Sequence, residues 1–289
     1  MGNELKGNNG LPLLFGVMGD PISQTKSPAM HSAALAAESL SGTYVPLHVK
    51  QERLGDAIKG IVALGYRGVN VTVPHKVDVM KYVDVLDEAA KHIGAVNTIV
   101  NEDGVLTGYN TDGIGYIRSL KEEAVSDLSG KHVLVIGCGG AARGIVYALL
   151  QEKPGRVLIA NRTVAKAQEL VDEWTHLGAI SACSIEELAQ ILQENHIDIV
   201  INTTSVGMYP KAGELPIPAE LLSPHMVVSD LIYNPLKTEL LVRAEAIGCR
   251  IHNGLGMFVY QGAYAFEYWT GRPAPIEAMR AAVLSSLQA

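Results

Sequence analysis

The sequence predicts an α/β protein built from two domains, and three observations carry that prediction. Strand-like apolar runs alternate with helical patterns along the whole chain. A glycine-rich turn at 137–142 lies between a strand-like run and an apolar helical run. About 110 residues precede that unit, too many for a tail and enough for a domain of their own. The 289 residues are sufficient for two cores.

Residues 15–18 read as a strand. Ser27 before Pro28 reads as a helix cap and first helical residue, opening a helix to about residue 39. Residues 44–49 are strand, 54–64 helix and 68–73 strand. The runs 95–100 and 105–109 flank Asn101-Glu102-Asp103-Gly104, where the Asp-Gly pair signals a hairpin. Thr111-Asp112 caps a helix reaching about residue 125, and 126–130 form a polar joint. Residues 133–136 are strand, 141–150 helix and 157–160 strand. Ser184 and Glu187 have the spacing of a capping box. Strands follow at 197–201 and 226–231, then helices at 236–247, 256–270 and 275–287. The alternation implies mostly parallel sheets. Residues 1–10 are polar and are expected to fray.

The bulk properties exclude several classes. Lys and Arg number 23 against 30 Asp and Glu, a net charge of −7 with no basic tract. Nucleic acid and anionic membrane are therefore poor partners. No apolar run is long enough to span a bilayer, and the start lacks a signal-peptide pattern. The three cysteines, Cys138, Cys183 and Cys249, are odd in number and lack metal-ligand spacing. That argues against a disulfide framework or a metal site and for a reducing cytoplasm. Cys138 reads as a small filler of its turn.

The turn at 137–142 has the context in which Gly-x-Gly-x-x-Gly/Ala becomes a dinucleotide site. Gly137 permits the sharp turn, and Gly139 lets backbone N–H groups approach a pyrophosphate. Gly140 completes the glycine-rich turn, Ala141 begins the helix whose positive end faces the phosphates, and Ala142 lets that helix lie close on the sheet. The next strand ends in Asn161-Arg162-Thr163, where an NAD site usually carries an acid. Here Arg162 stands instead, with Lys166 one turn on, and a guanidinium suits a 2′-phosphate. The expected cofactor is NADP(H).

Three further polar clusters lie at element ends. Thr25 and Ser27 offer hydroxyls beside free helix N–H groups, a carboxylate site without a fixed cation. Asn70, Thr72 and Pro74 share one face of their strand, with Lys76 just past its end and His75 read as a surface histidine. Asn97 and Asp112 occupy the third cluster, Asp112 standing before the helix that enters the second domain.

Together these segments resemble the shikimate dehydrogenase family over nearly the whole chain. Gly19-Asp20-Pro21-Ile22 through Ser27-Pro28 and His31 is similar to its substrate-carboxylate motif, and Asn70-Val71-Thr72-x-Pro74-x-Lys76 to its catalytic-lysine segment. Ala95-Val96-Asn97-Thr98 and Asn110-Thr111-Asp112 resemble its hydroxyl-binding and aspartate segments, and Asn161-Arg162-Thr163 its NADP-selecting motif. Residues 202–208 resemble its loop near the nicotinamide, and Asp230-Leu231-Ile232-Tyr233-x-Pro235 and Gly254-Leu255-Gly256-Met257 through Gln261-Gly262-Ala263 its C-terminal signatures. Thr25 departs from the usual serine but keeps the hydroxyl.

The resemblance implies an N-terminal α/β substrate domain (1–112 and 254–289), a Rossmann NADP domain (113–253) and C-terminal helices that return to the first domain. It implies reversible reduction of 3-dehydroshikimate to shikimate, on the route to chorismate and aromatic amino acids. Lys76 is then the proton donor, and Asp112 hydrogen-bonds the same region and orients it. Thr25, Ser27 and Tyr233 hold the substrate carboxylate, and Asn70, Thr72, Asn97 and Gln261 read the ring hydroxyls. Leu231 and Gly254 join the cofactor set. Left open are a quinate/shikimate enzyme with relaxed cofactor use, a folate-linked or aldehyde-linked NADP dehydrogenase of similar layout, a non-catalytic NADP-binding sensor, and a homodimer.

Overall fold

The computed structural model describes residues 11–288; the expected frayed segment 1–10 lies outside them. Two compact units emerge, Met1–Thr111 with Val259–Ala289, and Asp112–Phe258.

The first unit contains β1 (Leu13–Gly19), α1 (Ser27–Ala37), β2 (Gly42–His48), α2 (Leu54–Ala63), β3 (Gly68–Val71), β4 (Val85–Leu86), α3 (Glu88–Ile93), β5 (Thr98–Glu102) and β6 (Val105–Tyr109). Its sheet has the order β2-β1-β3-β5-β6-β4. The sheet is mixed: β1 pairs in parallel with β2 and β3, whereas β5 is antiparallel to both β3 and β6. The antiparallel pair follows from the hairpin at Asp103 and Gly104, whose φ values of 53° and 94° give the left-handed turn that a tight hairpin needs. Asn101 Oδ1 accepts the Gly104 N–H at 2.9 Å and closes it.

Several expectations are corrected here. Strand β3 ends at Val71, so Thr72 and Pro74 do not share a strand face with Asn70. The chain turns instead, Thr72 O accepting from His75 N at 2.9 Å, and Pro74 has no N–H to continue a ladder. His75 is not a surface residue. It is buried, and its Nε2 lies 2.6 Å from Val49 O. A carbonyl only accepts, so Nε2 carries the proton and donates. Ser27 is the first residue of α1 and does not cap it; Lys26 occupies the cap position, with no side-chain cap.

The second unit contains α4 (Asp112–Glu123), β7 (His132–Ile136), α5 (Gly140–Gln151), β8 (Arg156–Asn161), α6 (Val164–Trp174), β9 (Ile180–Ser184), α7 (Leu188–Glu194), β10 (Ile199–Asn202), β11 (Val227–Asp230), α8 (Glu239–Ile247) and β12 (Arg250–His252). Its sheet is parallel throughout, in the order β12-β11-β10-β7-β8-β9. Counted within the unit this is 3-2-1-4-5-6 read from β9, the doubly wound order whose direction reverses between β7 and β10. The central strands are apolar because helices cover both faces; Val133, Leu134, Val135, Val157, Ile159 and Val200 are fully buried. The Ser184–Glu187 box forms as expected, each side chain accepting from the other's N–H at 3.2 and 2.8 Å, one turn before α7.

Helix α9 (Gly254–Thr270) begins in the second unit and continues in the first; α10 (Ile276–Gln288) follows. Trp269 explains how the end of α9 docks on the first sheet. Its indole is buried and donates to Ile99 O at 2.9 Å. It lies against Gly68, where a Cβ would meet Trp269 Nε1 at 2.0 Å. Burying such a ring is worth roughly 3 kcal/mol. Arg67 Nε donates to Trp269 O at 2.9 Å, and α10 packs along α1, where Lys26 Nζ donates to Ser286 O at 2.6 Å.

Candidate functional site

In the second unit a cavity of about 570 Å³ opens where the strand order reverses. Its floor is the turn after β7, and the segment after β10 forms its wall. Gly137 has φ +99°, and a Cβ there would meet Thr204 Cγ2 at 2.7 Å, so both the turn and the wall require glycine. A Cβ at Gly139 or Gly140 meets nothing within 4 Å. The first turn of α5 is therefore open above its N–H groups, while Ala142 lies buried beneath. That cradle fits a pyrophosphate at a helix N-terminus.

The end of β8 supplies the second half of the cavity. Asn161 Nδ2 donates to Thr163 O at 2.8 Å and shapes the loop. Arg162 and Lys166 are exposed, line the cavity and engage no carboxylate among the described residues. Two cations without internal partners suit a 2′-phosphate. Cys138 also lines the cavity, but its S–H donates to Lys166 O at 3.3 Å and burial pushes the thiol up, so it is not activated.

The wall is pinned by a residue that the sequence placed in a motif without a role. Asp230 is fully buried at the end of β11. It accepts from Asn202 Nδ2 at 3.1 Å, Thr238 Oγ1 at 2.7 Å and Ile232 N at 3.1 Å. Burial raises its pKa, and those bonds oppose the rise. Asn202 Oδ1 in turn takes Thr204 N at 3.1 Å and Thr204 Oγ1 at 2.7 Å, and Thr203 Oγ1 donates to Ile136 O at 2.7 Å. One buried carboxyl thus holds the loop across the glycine turn.

Of the sequence-expected cofactor residues, Gly137, Gly139, Asn161, Arg162, Thr163 and Lys166 line this cavity. Gly140 and Ala141 sit on its open helix end and Ala142 beneath it. Leu231 and Gly254 do not line it. They meet each other instead: a Cβ on Gly254 would stand 1.9 Å from Leu231 O. Thr203 and Thr204 also line the cavity, and they lie in the 202–208 segment whose resemblance to the family's loop near the nicotinamide places it by the cofactor. Sequence reasoning missed Glu214 and Pro216, which follow no strand period and carry no motif.

In the first unit the polar residues converge around the ends of β3 and β5. Asn70, Asn97, Thr98 and Thr111 are all buried and share one network. Tyr44 donates to Asn70 Oδ1 at 2.7 Å. Asn70 Nδ2 donates to Asn97 O at 3.2 Å and to Thr98 Oγ1 at 3.1 Å. Asn97 Oδ1 accepts from Thr98 Oγ1 at 2.9 Å and Thr111 N at 2.9 Å.

Ser27 is buried beside the Tyr44 hydroxyl and its N–H donates to Thr25 Oγ1 at 3.3 Å. Lys76 is half-buried, and its carbonyl accepts from Val96 N at 2.8 Å, which fixes it next to Asn97. Thr72 and Gln261 are half-buried too; Gly262 brings Gln261's helix onto α1, since a Cβ there would meet Met30 Cε at 2.2 Å.

The remaining residues lie in the second unit. Asp112 is half-buried in the first turn of α4. Tyr233 stacks on Phe258, with centroids 4.6 Å apart, and burial raises its phenol. Among the described residues no cluster of His, Cys, Asp and Glu is arranged for a metal, the three cysteines are free, and no helix is long and apolar enough to cross a membrane.

Three family descriptions match successive segments: the shikimate dehydrogenase substrate binding domain at 17–99, shikimate/quinate 5-dehydrogenase at 119–209, and the shikimate 5′-dehydrogenase C-terminal domain at 254–284. The chain is 47% identical over 275 residues to the NADP(+) shikimate dehydrogenase of Geobacillus kaustophilus, covering 95% of this chain and 99% of that one. A crystal structure of a shikimate dehydrogenase in complex with NADP+ superposes with a TM-score of 0.90 at 42% identity, covering 96% of both chains. The enzyme of Listeria monocytogenes, solved with shikimate and NAD, gives 0.89 at 40% identity, over 94% of this chain and 96% of that one. With relatives this similar from end to end, the chain belongs to the shikimate dehydrogenase family.

Proposed function

We propose that this protein is an NADP-dependent shikimate dehydrogenase, reversibly reducing 3-dehydroshikimate to shikimate in the chorismate route to aromatic amino acids. The observation that carries the cofactor half is the cavity at the strand reversal, with an open helix N-terminus at one end and Arg162 and Lys166 at the other. The bound NADP(H) supplies or accepts the hydride. Gly137, Gly139, Gly140, Ala141 and Ala142 form the bed for its pyrophosphate, and Asn161, Arg162, Thr163 and Lys166 take the 2′-phosphate end. Leu231 and Gly254, which lie outside the lining of that cavity, join the cofactor set on the family resemblance alone.

The substrate half belongs to residues 1–112 and 254–289, the cofactor half to 113–253. Thr25 and Ser27, with Tyr233, hold the carboxylate. Asn70, Thr72, Asn97 and Gln261 hold the ring hydroxyls. In the reductive direction the carbonyl oxygen gains negative charge as hydride arrives at its carbon. The Lys76 ammonium stabilises that charge and gives up its proton to form the hydroxyl; in reverse the Lys76 amine takes the proton back. Asp112 hydrogen-bonds the same reacting region. A buried network of paired amides and hydroxyls rejects ligands that lack a matching hydroxyl, because a buried group is then left unpaired.

The quinate-active reading with relaxed cofactor choice draws on the Listeria relative, which was solved with NAD. Arg162 in place of an acid favours NADP. The cytoplasm is the proposed location, supported by three unpaired cysteines, and a homodimer is part of the same proposal, to be tested by sedimentation. NADPH-dependent reduction of 3-dehydroshikimate by the purified protein tests the function. Saturable turnover is expected; NADPH binding without turnover would leave a sensor.

A further inference from the structure

The polar network of the first unit has a fixed direction, and Tyr44 sets it. Asn97 O is a backbone carbonyl and only accepts, so the side of Asn70 that faces it at 3.2 Å is the NH2. The second NH2 hydrogen goes to Thr98 Oγ1 at 3.1 Å. Both donors of Asn70 are thus spent within the protein. Its Oδ1 receives the Tyr44 proton at 2.7 Å, which leaves one lone pair and no donor for a ligand. The Tyr44 oxygen also meets the Ser27 side chain, so one phenol touches residues proposed for the hydroxyl end and the carboxylate end of the substrate.

Tyr44 has little freedom to act otherwise. Its ring lies parallel on His31, with centroids 4.3 Å apart and planes 9° apart, and tilts against Trp269 at 6.2 Å. Neither His31 nitrogen has a hydrogen-bond partner among the described residues. Burial lowers His31 to about 3 and raises the Tyr44 phenol well above its usual value, so both rings stay neutral and Tyr44 keeps its proton.

We propose that Tyr44 is a specificity-determining positioning residue that locks Asn70 as an acceptor, so that Asn70 selects a ring hydroxyl that takes no part in the redox step, a role that rests on the shikimate reading above. The reacting oxygen alternates between hydroxyl and carbonyl. As a carbonyl it would set lone pair against lone pair at Asn70. That oxygen belongs with a donor such as Lys76, and the hydroxyl at Asn70 is one that donates in both redox states.

Tyr44→Phe keeps the ring and its stacking and removes only the hydroxyl, with its bond to Asn70 and its contact with Ser27. The shikimate KM is expected to rise about tenfold, with kcat within about threefold and the NADP KM unchanged. In an Asn70→Ala background the same change should add less than about twofold, because Tyr44 acts through Asn70. An unchanged shikimate KM, or equal penalties in the two backgrounds, overturns the proposal. A second measurement uses the unaltered protein with 4-deoxyshikimate and 5-deoxyshikimate: one should lose about tenfold or more in kcat/KM, and that loss should shrink in Asn70→Ala. Full activity with both analogues also overturns it. If the unaltered protein fails on shikimate itself, the functional reading falls and takes this role with it; an active protein indifferent to Tyr44→Phe refutes the role alone.

Discussion

Arg162→Ala separates recognition of the 2′-phosphate from recognition of the rest of the dinucleotide. Arg162 is exposed at the rim of the cavity, engages no carboxylate among the described residues, and contributes nothing to the core. Its removal should therefore leave the fold intact. At a separation of about 4 Å two unit charges attract by ~1 kcal/mol in water and ~4 kcal/mol near a protein surface. An exposed guanidinium against a phosphate of charge near −2 falls low in that range, because solvent and salt screen it. Lys166 remains on the same rim and retains part of the attraction. A net loss of about 2 kcal/mol follows, which is roughly thirtyfold in affinity. Steady-state kinetics at fixed ionic strength, with NADPH and NADH in turn, is the assay. The KM for NADPH should rise about thirtyfold and that for NADH by less than about twofold. The NADPH effect should shrink as salt is raised. Equal weakening of both cofactors, or none, would refute the assignment of Arg162 to the 2′-phosphate.

Three other changes probe separate parts of the account. Lys76→Ala should lower kcat roughly a hundredfold or more with a modest change in shikimate KM; near-normal kcat would remove Lys76 as the acid. Asp230→Ala strips the Asn202, Thr238 and Ile232 partners from a buried site. It should destabilise the protein by about 2–4 kcal/mol in urea titration and raise the NADPH KM, with Asp230→Asn restoring most of both; a neutral alanine variant would show that the loop holds its shape without that carboxyl. His31 contributes to acid stability. Burial holds its folded pKa at about 3, below the usual 6.5, so the unfolded chain takes up a proton first as pH falls. Stability from this group is complete above pH 6.5 and drains away between 6.5 and about 3, an upper bound of roughly 5 kcal/mol. His31→Phe keeps a ring against Tyr44, and its urea midpoint should fall less steeply than that of the unaltered protein from pH 6.5 to 4.5; parallel falls would contradict a neutral buried His31.

The cofactor unit was legible in the sequence because its signals are local. A strand, a glycine turn and a helix follow one another between residues 132 and 151, and the Asn161-Arg162-Thr163 end of β8 comes one crossover later. The Asp103-Gly104 turn was legible for the same reason. The first sheet was harder. Its mixed pairing depends on β3 meeting β5 across an intervening helix, and the two-residue β4 carries no period. The edge strands β9 and β12 were missed because they are short and poorly apolar, and α3 because it spans only six residues; α6 was missed although Ala167, Leu170, Val171 and Trp174 carry a clear helical period. His75 was misplaced because burial beneath Val49 is not encoded beside it in the sequence. Tyr44 escaped notice for a similar reason: its partners, Ser27, His31, Asn70 and Trp269, come from α1, β3 and α9, and only the folded chain brings them to one phenol.

The most direct test of the central claim is the oxidation of shikimate and of quinate by the purified protein, each with NADP and with NAD. Fast turnover confined to shikimate with NADP is the predicted result. Comparable turnover with quinate or with NAD would contradict the specificity argued from the buried network and from Arg162, and no turnover in any combination while NADPH still binds would contradict the reaction itself.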